Sequence, residues 1–379
     1  MMKQADLICN SLKKKGDWMF NICTTQTILE NILLDESSKW CQIICDIQKI
    51  YIKVEDVEVL DSADSIINIA SARYDIAVLD KSEFIDSIYQ DHSKVLENPG
   101  SVYILDIKTE EAEALQKDYG VICMSAKRLD NHILTNLSTE MTYEAGESNN
   151  DTCNWRYVLQ DFQHIPSNTL IICDRYIFQN SKLKDNGQGQ KTECSDAALD
   201  NIHDILDTLL PQTFKGTYHV LMLTDGNSVI KHDRISSWTN SLIKKHRLRQ
   251  YPIEFEVVTF KGGGMNYHEK FHNRRIYSNY YIIRADHKIN AFRQHKSTCS
   301  QTITCDVLYT KGLGSNHSTP PRKDLDNFLK IFSEAISYYK NNPKKSSEYD
   351  YSCNGVVAKE NGSISIDDFR NRLVNNNNW

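Results

Sequence analysis

The chain has 379 residues, of which 40% are hydrophobic and 25% charged, with a net charge of -6. That length accommodates two domains, each with its own core, and the composition is that of a globular protein. No apolar run is long enough to span a bilayer, and the start of the chain lacks a secretory h-region, which points to a cytoplasmic protein with no membrane partner. The 11 cysteines are scattered and several sit inside apolar runs. That pattern fits buried free thiols better than a disulfide framework or a zinc site.

Charge is spread unevenly. Residues 51–150 hold 20 acidic and 8 basic side chains, whereas residues 231–296 hold 14 basic and 5 acidic. An acidic first half could dock a protein partner and the basic segment a nucleic acid. Lysine, asparagine and isoleucine usage resembles that of a bacterial accessory or defence protein.

Residues 1–50 read as helical, with Ile22, Ile28, Ile32, Leu33 and Leu34 on one face and Thr24-Thr25 as a cap. Strands are expected at Ile50–Val54, Tyr74–Asp80, Ser101–Asp106 and Val121–Met124, separated by helices at Ala63–Ala72, Ser82–Tyr89 and Glu110–Asp118, the last stopped by Gly120. Asp80 and Asp106 close strands expected to be neighbours. They could hold magnesium, or they could simply cap the helices that follow. No glycine-rich phosphate loop is present.

The polar stretch 144–155 reads as a linker. The strand–helix pattern then restarts. Strands are expected at Asn168–Cys173, Tyr218–Asp225, Ile253–Phe260 and Thr304–Tyr309, with Ser181–Glu193 as a loop. Helices are expected at Ser195–Leu210, Asp233–Leu248 and Lys323–Tyr339, and one long strand at Ile276–Ile283. The predicted fold class is α/β with two domains, each a mostly parallel sheet flanked by helices. Their limits are 1–143 and 156–342, followed by a polar tail, 343–379, with an edge hairpin.

The candidate site lies between the strand Ile253–Phe260 and the aromatic strand. His268, Lys270, His272, Asn273, Arg274 and Arg275 fall within eight residues, and Asn279 follows. Imidazoles and cations gathered at a strand edge can hold phosphate, and Tyr267, Tyr277, Tyr280 and Tyr281 could stack on bases. The same tyrosines could equally be core and the cations a solvated face. The carboxylates Asp225, Glu254 and Glu256 near Lys261 form an alternative, metal-dependent nuclease set. A third reading is a non-catalytic interaction subunit. No Gly-x-Ser-x-Gly elbow supports a serine hydrolase.

His268-Glu269-Lys270 matches the His-x-Lys motif, and His272-Asn273-Arg274 is similar to a degenerate His-Asp-Arg form; Cys173-Asp174-Arg175 echoes its last part. With the order of elements over roughly 165–340, this resembles the phospholipase D-type domain. The resemblance implies a phosphodiester substrate. It implies His268 or His272 as nucleophile with Lys270 beside it, and Asn273, Arg274, Arg275 and Asn279 as phosphate ligands. It calls for neither metal nor cofactor. The acid expected after the motif is absent, so phosphate binding with weak or no cleavage is the expectation. A second motif copy would have to come from a homodimer.

Overall fold

The computed structural model describes residues 21–46, 49–129, 138–175, 177, 183–185, 191–194, 197–225, 232–260, 271, 274–308, 321–342, 349–354, 356–357 and 369–375. The chain divides into two compact units, Met1–Thr135 with Asn376–Trp379, and Asn136–Asn375. Both are α/β: the first carries a parallel sheet, the second a mixed one. Among the described residues no helix is long and apolar enough to cross a membrane. Nine cysteines among the described residues are free thiols.

The first unit alternates strands and helices. Its strands are β1 (Asn21–Thr25), β2 (Lys49–Lys53), β3 (Ala77–Asp80), β4 (Val102–Leu105) and β5 (Ile122–Ser125). Its helices are α1 (Gln26–Leu34), α2 (Lys39–Asp46), α3 (Val57–Asp61), α4 (Ile66–Tyr74), α5 (Ser82–Gln90) and α6 (Thr109–Tyr119). All pairings are parallel, in the order β3-β2-β1-β4-β5. A strand–helix–strand crossover is what joins parallel neighbours. The order reverses between β1 and β4, which makes their carboxyl ends the topological switch point.

Three expectations change here. Asn21–Thr25 is not helical; it is the fully buried central strand, and Ile22 is one of its residues. Thr25 does cap α1, its hydroxyl accepting from the Ile28 amide, but Leu34 is exposed rather than on the inner face. Asp80 and Asp106 do not end neighbouring strands: β2 and β1 lie between β3 and β4, a separation of about 14 Å at ~4.8 Å per strand. Asp80 instead accepts from the Ser82 amide and hydroxyl at 2.9 and 2.6 Å, fixing the start of α5. The stop signal at Gly120 holds: it ends α6 at φ 59°, a left-handed position that glycine adopts freely.

The second unit is built on nine strands. In chain order they are β6 (Ser138–Tyr143), β7 (Thr169–Cys173), β10 (Tyr218–Asp225), β11 (Ile253–Phe260), β12 (Arg275–Ser278), β13 (Tyr281–Ala285), β16 (Gln301–Val307), β17 (Tyr349–Cys353) and β18 (Val356–Val357). Two small hairpins add β8 (Leu183–Asp185) with β9 (Lys191–Cys194), and β14 (Phe292–Arg293) with β15 (Lys296–Ser297). The helices are α7 (Trp155–Val158), α8 (Ala197–Leu209), α9 (His232–His246) and α10 (Pro321–Asn341). The large sheet runs β18-β17-β11-β10-β7-β12-β13-β16-β6.

Only β7, β10 and β11 are mutually parallel; every other pairing in this sheet is antiparallel. The expectation of a mostly parallel second sheet therefore fails. The reason is local: the aromatic run read as one strand breaks at residues 279–280 into the β12–β13 hairpin, and a hairpin returns antiparallel. Ser181–Glu193, expected as a loop, holds β8 and all of β9 but its last residue, Cys194, and the two strands pair antiparallel.

The predicted limits also shift. Ser138–Tyr143 is the outer strand beside β16, and so belongs to the second unit. The stretch 144–155 is not a free linker. Gly146 donates to the Ser297 carbonyl, Ser297 to that of Glu147, and Asn149 to that of His295. Part of the supposed tail is core as well. Phe369, Leu373 and Val374 are buried, the Arg370 and Asn371 amides donate to Glu256 at 2.9 and 2.7 Å, and Asn371 Nδ2 donates to the Leu170 carbonyl.

Helix α10 covers one face with an apolar stripe, Leu325, Phe328, Leu329, Phe332, Ala335, Ile336 and Tyr339. Helical spacing in the sequence predicts Leu325, Phe328, Leu329, Phe332, Ala335 and Ile336 as that inner face, and all six are buried.

Candidate phosphate-binding edge of the second sheet

β7, β10 and β11 end together, at Cys173, Asp225 and Phe260. β12 begins at the same edge, because Arg275 lies opposite Cys173, and β13 ends there opposite Arg275. In open α/β sheets the carboxyl ends of parallel strands are where ligands are held, since the loops there can vary without disturbing the sheet. The chain leaves this edge at Phe260 and returns to it at Arg274.

Of the predicted site residues, His268, Lys270, His272 and Asn273 lie outside the described residues, as does Tyr267. Phe271, between Lys270 and His272 in sequence, is described and anchored. It is buried, stacks on Phe260 at 5.0 Å, meets Phe328 and Phe332 edge-on, and its carbonyl accepts from the Cys173 thiol at 3.3 Å. Burial pushes that thiol far above its ordinary pKa, so it stays protonated as a donor.

The three described candidates separate. Arg274 is half-buried at the edge. Its Nη1 donates to the Asp286 carbonyl at 3.4 Å, its Nε is buried without a partner, and it forms no ion pair among the described residues. Arg275 turns inward: its Nε donates to Asp324 Oδ2 at 3.1 Å and its Nη1 to the Arg274 carbonyl. Asn279 is fully buried at the opposite end of β12, where its Oδ1 accepts from the Asn168 amide and the Ser278 hydroxyl, each at 3.2 Å. Four residues of strand put it roughly 14 Å from Arg275. Arg275 and Asn279 are thus structural here, and of the described candidates only Arg274 keeps a cation at the mouth. Tyr277, Tyr280 and Tyr281 are fully buried as well, which decides for the core reading of these rings.

Arg275 belongs to a network that sequence reading did not find. Asp324, in the first turn of α10, receives Arg275 Nε, Arg284 Nε at 3.0 Å and the Tyr277 hydroxyl at 3.0 Å. Arg284 Nη1 also pairs with Asp306 Oδ2, and Asp306 Oδ1 accepts from the Ser138 hydroxyl at 2.6 Å. Two cations, Arg284 buried and Arg275 partly so, face two buried anions, and the charges compensate one another. In sequence these four residues are scattered over 50 positions; only the β12–β13 register, Arg275 opposite Arg284, joins them.

The alternative carboxylate set does not assemble. Asp225 ends β10, whereas Glu254 lies opposite His219 at the far end of the same strand pair, roughly 20 Å away at ~3.3 Å per residue. Glu256 is fully buried, accepting from the Tyr351 hydroxyl at 2.7 Å and from the amides of Arg370 and Asn371. Burial raises its pKa against those three donors. Glu254 is held by Arg370 Nη1 at 2.6 Å. Lys261 lies outside the described residues. Among the described residues no group of three or more His, Cys, Asp or Glu could hold a metal ion.

The class that the fold defines is a two-unit α/β protein whose mixed second sheet brings the ends of three parallel strands to one edge, beside Arg274. Compared with models of known protein families and with curated proteins, the chain matches none.

Proposed function

We propose that the second unit binds a phosphate-bearing ligand, a nucleic-acid strand, at the carboxyl edge of β7, β10 and β11, with weak or no phosphodiester cleavage. The observation that carries this is Arg274: a half-buried guanidinium at a strand-end mouth whose Nε has no partner and which makes no ion pair among the described residues. Backbone phosphates are the ligands that such a cation attracts. His268, Lys270, His272 and Asn273 join it by their place in the sequence, on either side of the anchored Phe271. In the phospholipase D-like reading His268 or His272 would attack phosphorus. No acid after the motif orients the imidazole, which is why binding outweighs turnover.

The test is fluorescence anisotropy with a labelled single-stranded oligonucleotide in EDTA, over a salt series. Binding should weaken as salt rises, with a log–log slope of about 0.7 per phosphate contact. Arg274→Ala and Lys270→Ala should each flatten that slope. Hydrolysis of bis-nitrophenyl phosphate should stay near background, and His268→Ala should leave it there. A wild-type chain that binds no oligonucleotide at about 50 mM salt refutes the proposal.

A further inference from the structure

The charge asymmetry of the sequence reaches the surface at two exposed elements, both outside the edge described above. The first is α3, which follows β2. It is five residues long and none of them is buried. A helix that short is unstable by itself in water, and packing does not supply the difference here. What holds it is polar. Asp56 caps it by accepting from the Val59 amide at 3.0 Å, and Asn68 of α4 donates to the carbonyls of Leu60 and Ser62 at 2.6 and 2.9 Å. The result is a fixed helix that shows Val57, 62% exposed, and Val59, 47% exposed, to solvent.

Acids surround these valines. Residues 55–64 carry Glu55, Asp56, Glu58, Asp61 and Asp64, and no cation. Glu55 is tied to the Thr27 amide and Asp56 to its cap. Glu58, Asp61 and Asp64 form no ion pair among the described residues. The nearest cation in sequence, Lys53, is held by Asp86 at 2.6 Å. Exposed apolar side chains rimmed by one sign of charge mark an interaction surface, and this rim repels phosphates and anionic membranes.

The second element is the end of α9. Leu248, two residues past the helix, is 87% exposed, more than any other large hydrophobic side chain among the described residues. Its turn is closed by the Arg249 amide on the His246 carbonyl at 3.0 Å, and Arg249 Nη2 donates to the Asp207 carbonyl at 3.0 Å. Lys244 and Arg247 flank Leu248 and both are exposed. The acids beside the helix are engaged by other cations: Asp200 by Lys245 at 3.3 Å and Asp207 by Arg249 at 3.4 Å. Lys244 and Arg247 form no ion pair among the described residues.

A leucine between two free cations matches two valines among three free carboxylates, in sign and in apolar content. Every copy of the chain carries both patches, and both are open to solvent. We propose that the end of α9 in one copy docks on α3 of a second copy, Leu248 against Val57 and Val59, with Lys244 and Arg247 facing Glu58 and Asp61. The two patches differ, so each copy both gives and receives. One apolar anchor and a few rim charges make a weak, salt-sensitive contact, not an obligate one.

The test is sedimentation velocity of the full chain over about 5–200 μM, in about 50 and about 500 mM salt. Average mass should rise with concentration at the lower salt and much less at the higher. Glu58→Lys/Asp61→Lys and Lys244→Glu/Arg247→Glu should each weaken association about tenfold. An equimolar mixture of these two variants should recover it, because the basic end of one then meets the acidic helix of the other; mixing would not rescue a folding defect. Leu248→Ser should weaken association severalfold and leave the melting temperature within about 2 °C of the wild type. A wild type that stays single at low salt overturns the proposal. So does association that both charge reversals leave intact, and so does a mixture that fails to restore what each reversal lost.

Discussion

The two sheets end in the same kind of edge and use it differently. In the first unit the polar groups at the strand ends are already satisfied by the protein's own carboxylates. Glu55 accepts from the Thr27 amide at the start of α1 at 2.8 Å, Asp86 holds Lys53 at 2.6 Å, and Asp80 holds Ser82. The Gln26 side-chain oxygen accepts from the amides of Glu55 and Asp56. A phosphate approaching the switch point would meet Glu55 where a glycine-rich loop would leave open amides. In the second unit the carboxylates that could have silenced the edge, Asp306 and Asp324, are drawn below it to neutralise Arg275 and Arg284, and Arg274 keeps its charge. The contrast sharpens the proposal to a rule: a strand edge can take an anion only where local counter-charges are spent elsewhere.

The most disruptive way to probe this contrast is Arg284→Ala. It leaves Asp306 and Asp324 buried with too little compensation, and should cost about 3–5 kcal/mol in urea unfolding, with the loss confined to the second unit by hydrogen exchange. An effect below about 1 kcal/mol, the range of a surface pair, would mean that the network does not hold those carboxylates.

Acid should separate the units next. His219 is pushed down to about 3 by burial and then by Arg372; Glu254 stands 3.8 Å away but is engaged by Arg370. His246 is pushed down to about 4 by burial and by His203, whose Nδ1 lies 3.2 Å from its Nε2. Both folded values lie below the ordinary 6.5. Their contribution is present above pH 6.5 and lost as pH falls towards 4 and 3. Each pKa unit corresponds to about 1.4 kcal/mol, so each of the two histidines should cost the second unit on the order of 3 kcal/mol between pH 7 and 4. Hydrogen exchange at the two pH values should show this in the second unit, and His246→Gln should reduce it.

Smaller effects belong to the first edge. Asp80→Ala removes the two bonds to Ser82 and should cost roughly 1 kcal/mol in thermal melting. Glu55→Gln should cost only about 0.3–1 kcal/mol, because it fills a helix end rather than a core. A larger loss would show that Glu55 holds the fold, and would blunt the comparison.

Much of the fold was legible in sequence because it is local. Short apolar runs rich in branched residues gave β7, β10 and β11, the 3.6-residue stripe gave α10, and the Gly120 stop gave the end of α6. The central strand Asn21–Thr25 was not legible: five buried residues running straight into α1 read as more helix. At the site, the cationic run was visible, but which of its members would face a ligand was not. Arg274 and Arg275 are neighbours in sequence, yet one stays at the mouth and the other is claimed by Asp324, 49 positions away. The left-handed turn at Gln294 and His295 gave no sequence signal, since nothing in those residue types asks for one.

By itself, then, the sequence determined the alternation of strands and helices, the inner face of α10 and the concentration of positive charge after β11, all properties of neighbouring residues. Only the tertiary structure decided the strand order, the hairpin inside the aromatic run, the docking of 144–155 on the β14–β15 hairpin and of 369–375 on the large sheet, and which cations are neutralised. Those outcomes depend on partners distant in the chain, because ion pairing and register are settled by what packing brings within a few ångströms, not by what stands next in line.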